Sequence, residues 1–187
     1  MTFPLPRYEA VEFSASVNVS TGDLDTLNRA KLPKRFLRGE MTLEEPIGVD
    51  VPGHGYLIRF AQGSYESDYF DPATGEVLEF DDWPGSEPLL INSTLGQYTN
   101  TIKALIAAFP FYNKIVGPLD EAEAEARIDE RVAIAARLGN LIREIDPVAI
   151  YPDSPWARFI SDLANGDYAT EDILREEDPV PGGISVE

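Results

Sequence analysis

Cysteine is absent from this chain of 187 residues, and histidine occurs once, at His54. Without cysteine the protein can form no disulfide bond, no thiolate metal site and no thiol nucleophile. His54 lies between two glycines, and we interpret it as a structural or exposed turn residue rather than a general base or metal ligand. The patterns of zinc proteases, serine-hydrolase nucleophile elbows, P-loops and dinucleotide-binding loops are also missing. We therefore expect no cofactor, no metal ion and no catalytic residue.

Long apolar runs are missing as well. No stretch approaches the roughly 18 consecutive apolar residues that a membrane-spanning helix needs. The first ten residues carry no basic segment followed by an apolar core, so no secretory signal is predicted. We expect a cytoplasmic protein without a membrane partner. The sequence leaves the oligomeric state open.

Basic residues are few, with 15 of them against 33 acidic ones and a formal net charge of −18. A field of this sign repels nucleic acid and anionic membranes, and it accelerates association with basic partners at low salt. We therefore expect a protein partner with a basic surface, and no nucleic-acid partner.

Basic residues are missing altogether from residues 61–92, which hold eight acids and no lysine, arginine or histidine. Two runs typical of strands, at 64–71 and 75–80, flank a turn at 71–75. Proline presets φ in such a turn, aspartate caps it through its side chain, and glycine adopts a positive φ. The segment is therefore predicted to form an ordered acidic hairpin that serves as a docking surface.

The acids of this hairpin cannot all face one partner, because successive strand residues point to opposite faces. We expect the docking surface to be one face or edge of the hairpin together with its end at residues 81–83. The predicted contact residues are Glu66, Asp68, Glu76, Glu79, Asp81, Asp82 and Trp83. The alternative interpretation of Asp81 and Asp82 is a catalytic carboxylate pair of a hydrolase.

The order of elements predicts an α+β fold, with a central, largely antiparallel sheet and helices packed on one of its faces. Strands are predicted at residues 56–61, 65–70, 76–80 and 89–92, with a further edge strand at 36–41. Helices are predicted at 23–30, 95–109, 119–144 and from 154 onward, the third with an apolar stripe that begins at Ile128 and Val132. Residues 1–165 are expected to form one domain, and residues 166–187 a flexible acidic tail.

Several short motifs follow one another in a characteristic order. Leu32-Pro33 precedes a strand that reads YLIRF, and a second strand enters the turn FDPATGEV at residues 70–77. The run INSTL at 91–95 opens a helix, and EIDP at 144–147 closes a longer one, with Trp156 shortly after. Over residues 30–165 this order resembles the SUKH superfamily of immunity proteins, most closely its fourth subfamily, which occurs in bacterial polymorphic toxin systems. One departure is Asn92-Ser93-Thr94, where the family pattern has Asn-Ser-Ser or similar.

The resemblance implies a cytosolic binding protein with an α+β fold and no catalysis. It implies that the protein neutralises a cognate toxin, often a nuclease or deaminase, by direct binding. It transfers no set of binding residues, because the interfaces of such proteins diverge with their toxins. Two alternatives stay open: a regulatory or scaffold module with a non-toxin ligand, and a hydrolase or sugar-active enzyme that uses a carboxylate pair.

Overall fold

The computed structural model of the chain describes residues 8–34, 42–81, 83, 85–114 and 117–170. These residues form five strands followed by three helices, with one further helix before the first strand, so the predicted α+β class is confirmed. The strands are β1 Thr42–Val51, β2 Gly55–Gln62, β3 Glu66–Phe70, β4 Val77–Asp81 and β5 Leu89–Asn92. The helices are α1 Thr21–Ala30, α2 Leu95–Ala108, α3 Glu121–Ile145 and α4 Pro155–Asn165. No helix in these ranges is both long and apolar enough to cross a membrane.

The sheet is a five-stranded meander in which each strand pairs antiparallel with the next one along the chain. The last four strands match the four predicted between residues 56 and 92, whereas β1 was missed. Pro46 and the two glutamates before it obscure the alternation of β1. The pairing of β1 with β2 shifts register between Leu43 and Ile47, so the proline falls at an irregularity where it removes no regular ladder bond. The strand predicted at 36–41 lies outside the described residues.

The turn between β3 and β4 forms as its residues predict. The Asp71 carboxylate accepts a hydrogen bond from the Ala73 backbone N–H at 2.7 Å. Gly75 has a φ of 87°, in the left-handed region that favours glycine. The turn fixes the register in which Phe70 pairs with Val77 and Glu66 pairs with Asp81.

Capping side chains set the starts of the helices. Thr94 accepts from the Gln97 N–H at the start of α2, and Asp120 and Glu123 form a complete capping box on α3. Ser154 caps α4 with Pro155 in its first turn. These three starts agree with the predicted ones.

The core lies between the sheet and the layer formed by α2, α3 and α4. Its largest fully buried side chains include Phe60, Tyr98, Trp156 and Phe159. The apolar stripe predicted for α3 is buried only in its second half, since Ile128 and Val132 are 50% and 51% exposed. Length explains the difference: α3 has 25 residues, whereas its neighbours α2 and α4 have 14 and 11.

Residues 166–170 belong to the predicted tail but are held against the helices. The Thr170 backbone N–H and hydroxyl donate to the Tyr112 carbonyl at 2.8 and 2.7 Å. The Tyr168 N–H donates to the Tyr112 hydroxyl at 2.9 Å. Residues 171–187 lie outside the described ranges, so the tail and the domain boundary stay predictions.

A buried polar network joins the sheet to the helices. The carboxylate of Asp146, 1% exposed at the end of α3, accepts hydrogen bonds from the Asn92 side chain at 3.0 Å and the Ser93 N–H at 2.7 Å. The Ser93 hydroxyl donates to the other carboxylate oxygen of Asp146 at 3.0 Å. Asn92 in turn accepts from the Trp156 indole N–H at 3.1 Å. The motifs INST, EIDP and the later tryptophan therefore meet at one point in space.

Replacing Asp146 by asparagine tests this network. In its best orientation the new amide oxygen keeps the donors of Asn92 and the Ser93 backbone, while the amide nitrogen faces the Ser93 hydroxyl, which loses its acceptor. The remaining hydrogen bonds also lose the charge of the carboxylate. We expect Asp146→Asn to lower the free energy of unfolding by about 2 kcal/mol and the melting temperature by about 4–8 °C. Circular dichroism melting measures both, with Asp129→Asn on the exposed face of α3 as the matched control. Equal melting of the two variants would contradict the prediction.

Candidate functional site

Two exposed aromatic residues mark one end of the β3–β4 hairpin. Tyr65 and Trp83 are 69% and 70% exposed, more than any other large hydrophobic residue in the described ranges. Tyr65 immediately precedes Glu66 in the chain and Trp83 follows Asp81 by two positions, while Glu66 and Asp81 are direct cross-strand partners. Alternate loops of a meander lie at the same end of the sheet, so both aromatic residues share that end. We call Tyr65, Glu66, Asp81 and Trp83 the rim.

Backbone hydrogen bonds hold the loops of the rim in place. The Gly63 N–H donates to the Glu66 carbonyl at 2.7 Å and closes the β2–β3 turn. The Ser86 N–H donates to the Trp83 carbonyl at 3.1 Å, and the Ser86 hydroxyl donates to the Asp81 carbonyl at 2.7 Å. Tyr65 and Trp83 therefore lie beside hydrogen-bonded backbone groups, which lowers the entropy lost when a partner binds.

A cleft of about 230 Å³ opens beside the rim, between the hairpin and α4. Four carboxylates, one guanidinium and two aromatic rings line it, giving a formal charge of −3. The lining residues are Glu66, Glu79, Asp81, Pro155, Arg158, Phe159, Asp162 and Tyr168. Carboxylates beside aromatic faces are the groups that bind a cationic side chain in proteins. The cleft therefore extends the acidic rim inward.

Two of the predicted contact residues are interior. Asp68 is fully buried and Glu79 is 2% exposed, so neither offers the exposed carboxylate that a docking contact needs. They are paired across the two strands and face the helices, where the Tyr98 hydroxyl donates to Asp68 at 2.6 Å and Arg158 forms an ion pair with Glu79. The strand period of two places Glu66, Asp68, Glu79 and Asp81 on one face of the hairpin, and the helices bury the middle pair of that face.

The other predicted contacts divide between the two ends of the hairpin. Glu66, Asp81 and Trp83 come together at the rim. Glu76 lies at the opposite end, beside the turn, where its carboxylate accepts from the Thr74 hydroxyl at 3.1 Å. Asp82 lies outside the described residues. Sequence reasoning missed Tyr65 by counting it as a strand residue, although its position next to the Gly63 turn could have marked it as a loop aromatic.

His54 lies on the face of the sheet that points away from the helices. Its ring packs edge-on against Phe80, with centroids 5.6 Å apart, and its Nε2 atom lies 3.6 Å from a Glu87 carboxylate oxygen. These contacts agree with its interpretation as a structural residue. In the part of the chain that the structure describes, no three His, Cys, Asp or Glu side chains are grouped so that they could hold a metal ion.

The surroundings of Asp162 in the cleft disfavour its ionised form. Partial burial raises the pKa of Asp162 above its ordinary value of 3.8, the neighbouring charge of Asp167 raises it further, and Arg158 opposes both effects. The ionised form is therefore less stable in the folded protein than in the unfolded chain.

The first prediction for this site concerns the ion pair of Glu79 with Arg158. Arg158→Met would remove the cationic partner of a carboxylate that is only 2% exposed, and we expect a loss of about 2 kcal/mol in unfolding free energy. The double variant Glu79→Met with Arg158→Met removes both charges and should recover most of this loss. Urea denaturation followed by fluorescence compares the two. A double variant no more stable than Arg158→Met would show that the lost stability does not come from the ion pair.

The second prediction concerns Asp162→Asn. Because the folded-state pKa of Asp162 is raised, its ionisation destabilises the fold at neutral pH. We expect the variant to melt at a higher temperature than the wild type at pH 7. The gain should shrink as the pH falls through the raised pKa toward 3.8. Asp129→Asn serves again as the control, and a wild type that melts higher than Asp162→Asn at pH 7 would refute the assignment.

No curated protein and no solved structure matches the chain significantly. A family model described as SUKH-4 immunity protein matches residues 5–162, a stretch that begins before the predicted resemblance and contains the hairpin and α4 up to Asp162. Membership of an immunity family implies binding to a cognate toxin, and such families are generally not enzymes. With most of its length matched by this model, the chain belongs to the SUKH-4 immunity protein family.

Proposed function

We propose that the protein protects its cell from one polymorphic toxin by binding the toxin directly, without catalysis of its own. The toxin carries a basic surface and acts as a nuclease or deaminase. The protein acts in the cytoplasm, where the nucleic-acid substrates of such a toxin lie. The observation that carries the proposal is a rim of two exposed aromatic and two half-buried acidic residues on a chain of an immunity family.

Charge supports a basic toxin. Enzymes that act on nucleic acid carry basic residues along the channel that binds the phosphates. An inhibitor with a net charge of −18 is attracted to that channel and repelled by the nucleic acid that competes for it. Electrostatic attraction of this kind raises the association rate more than it raises the final affinity.

The proposed contacts are centred on the rim. Glu66, Asp81 and Trp83 form the centre, with Tyr65 added from the structure. Asp82 stays in the set because it lies between Asp81 and Trp83 in the chain, and Glu76 is a peripheral contact at the other end of the hairpin. Asp68 and Glu79 contribute from within, by fixing the hairpin against α2 and α4.

Co-expression with the toxin domain encoded beside this gene tests the function. We expect wild-type protein to restore growth and to form a complex that elutes as one species on gel filtration. If growth is not restored and the two proteins elute separately, the proposed function is wrong.

Trp83→Ala tests the placement of the interface. A tryptophan at the centre of an interface contributes about 2 kcal/mol or more, so the dissociation constant should rise about 30-fold. Ile128→Ala is the control, since Ile128 is an exposed apolar residue of α3 that belongs neither to the rim nor to the lining of the cleft. Surface plasmon resonance measures both variants, and the wild-type association rate should fall as salt rises from about 50 to about 500 mM. Equal affinities of the two variants would place the interface elsewhere.

A further inference from the structure

We propose that a pocket beside the first half of α3 is a binding site for an oxyanion, a phosphate or carboxylate group, with the guanidinium of Arg131 as its main binding group. The pocket lies between α3 and the segments 112–114 and 166–169. It shares no residue with the rim or with the acidic cleft. An anion in this pocket would therefore bind whether or not the rim binds a toxin.

The charge of this pocket is opposite in sign to that of the chain. Three cations and two carboxylates line it, which gives a formal charge of +1. They are Lys114, Arg127, Arg131, Glu130 and Asp167. The whole chain carries −18. The pocket volume of about 430 Å³ lies within the range of about 300–1,000 Å³ that is typical of small-molecule sites. The pocket is therefore large enough for a phosphate or carboxylate group, and its charge attracts one.

Arg131 has few partners for a half-buried cation. A guanidinium carries five N–H donors, and among the described residues Arg131 makes one hydrogen bond, from Nη1 to the Asn165 carbonyl at 3.3 Å. Its Nε atom is buried and makes none. No carboxylate of the described residues forms an ion pair with it. A buried donor without an acceptor destabilises a fold, and a bound ion or water commonly accounts for one in a native protein. A water would satisfy the donor, whereas an oxyanion would also balance the charge.

Arg127 adds a second cation one helical turn away. Residues four apart lie on the same side of a helix, and like charges at this spacing repel each other. Glu130 compensates Arg127, because its carboxylate accepts a hydrogen bond from the Arg127 Nη1 atom at 2.8 Å. No carboxylate in the described part of the chain does the same for Arg131, so an anion beside Arg131 would remove the remaining repulsion.

The end of α4 determines where the Arg131 guanidinium lies. Gly166 ends that helix with a φ of 108°, which favours glycine, and any side chain at this position would overlap the Arg131 Nη1 atom. A purely structural role, in which Arg131 caps the carbonyl end of α4, accounts for the bond to Asn165. It leaves Nε without an acceptor. A small rotation of the guanidinium toward the pocket would aim Nε and a terminal nitrogen, as a planar fork, at one oxyanion.

Inorganic phosphate tests the site on the full-length wild-type protein. The readout is the Nε–H resonance of Arg131 in ¹⁵N NMR spectra. We expect phosphate to shift this resonance and the amides of 112–114 and 166–169 saturably, with a dissociation constant on the order of 1 mM. Sodium chloride at the same ionic strength should produce no saturable shift, because chloride does not match the planar fork.

Substitutions of Arg131 separate binding from a structural role. Arg131→Gln should weaken phosphate binding about tenfold or more, and Arg131→Lys several-fold, because lysine lacks the planar fork. Arg137→Gln is the matched control, since Arg137 is an exposed arginine of the same helix outside the pocket. At about 20 times the dissociation constant, phosphate should raise the melting temperature of the wild type and of Arg137→Gln about 4 °C more than that of Arg131→Gln. An equal rise in all three proteins would show that phosphate acts elsewhere.

Two sources of the oxyanion are distinguished by a further variant. Glu171 and Asp172 follow the pocket closely in the sequence, since Ala169 lines it. If the chain itself supplies the carboxylate, Glu171→Gln combined with Asp172→Asn should shift the Arg131 Nε resonance without added phosphate and should tighten phosphate binding. If the anion comes from outside, the double variant should bind phosphate as the wild type does. Either result supports the site, whereas an Arg131 resonance that phosphate leaves unmoved in both proteins would overturn the proposal.

Discussion

The carboxylate of Asp146 is the point on which the arrangement of sheet and helices depends. It is buried and accepts hydrogen bonds from Asn92 and Ser93, at the junction of β5 and α2. Asn92 also accepts from the Trp156 indole, which fixes α4 relative to the last strand. Because α4 carries Arg158 and Asp162, the same network determines where one wall of the cleft lies. A polar contact deep in the core thus positions groups at the surface.

The acids on one face of the hairpin have different roles, because the helices cover that face unevenly. On its helix-side face, the acidic pair in the middle is enclosed by the helices, and it is tolerated because Tyr98 donates to Asp68 and Arg158 neutralises Glu79. The pair at the rim lies only two residues further along each strand, where α4 covers it incompletely. A single pattern of alternating acids therefore supplies both a structural ion pair and an open acidic cleft.

Local signals in the sequence predicted local structure well. The proline and glycine of the 71–75 turn and the helical periodicities each act over a few residues, and the structure contains the turn and the helices that they predict. What could not be predicted depends on distant partners. Asp68 and Glu79 are buried with Tyr98 and Arg158 as their partners. These partners lie 30 and 79 residues away in the chain, so a local pattern cannot reveal them. The exposure of Ile128 likewise follows from the lengths of α2 and α4, not from α3 itself.

The cleft retains a group that costs stability. Partial burial raises the pKa of Asp162, and the charge of Asp167 raises it further. The ionised carboxylate therefore disfavours the folded state at neutral pH, and a neutral side chain of similar shape would relieve the cost. Residues that destabilise a fold and are held in ordered positions are expected where binding depends on them. Because α4 holds this carboxylate in place before any partner arrives, the cleft presents its negative charge without rearrangement.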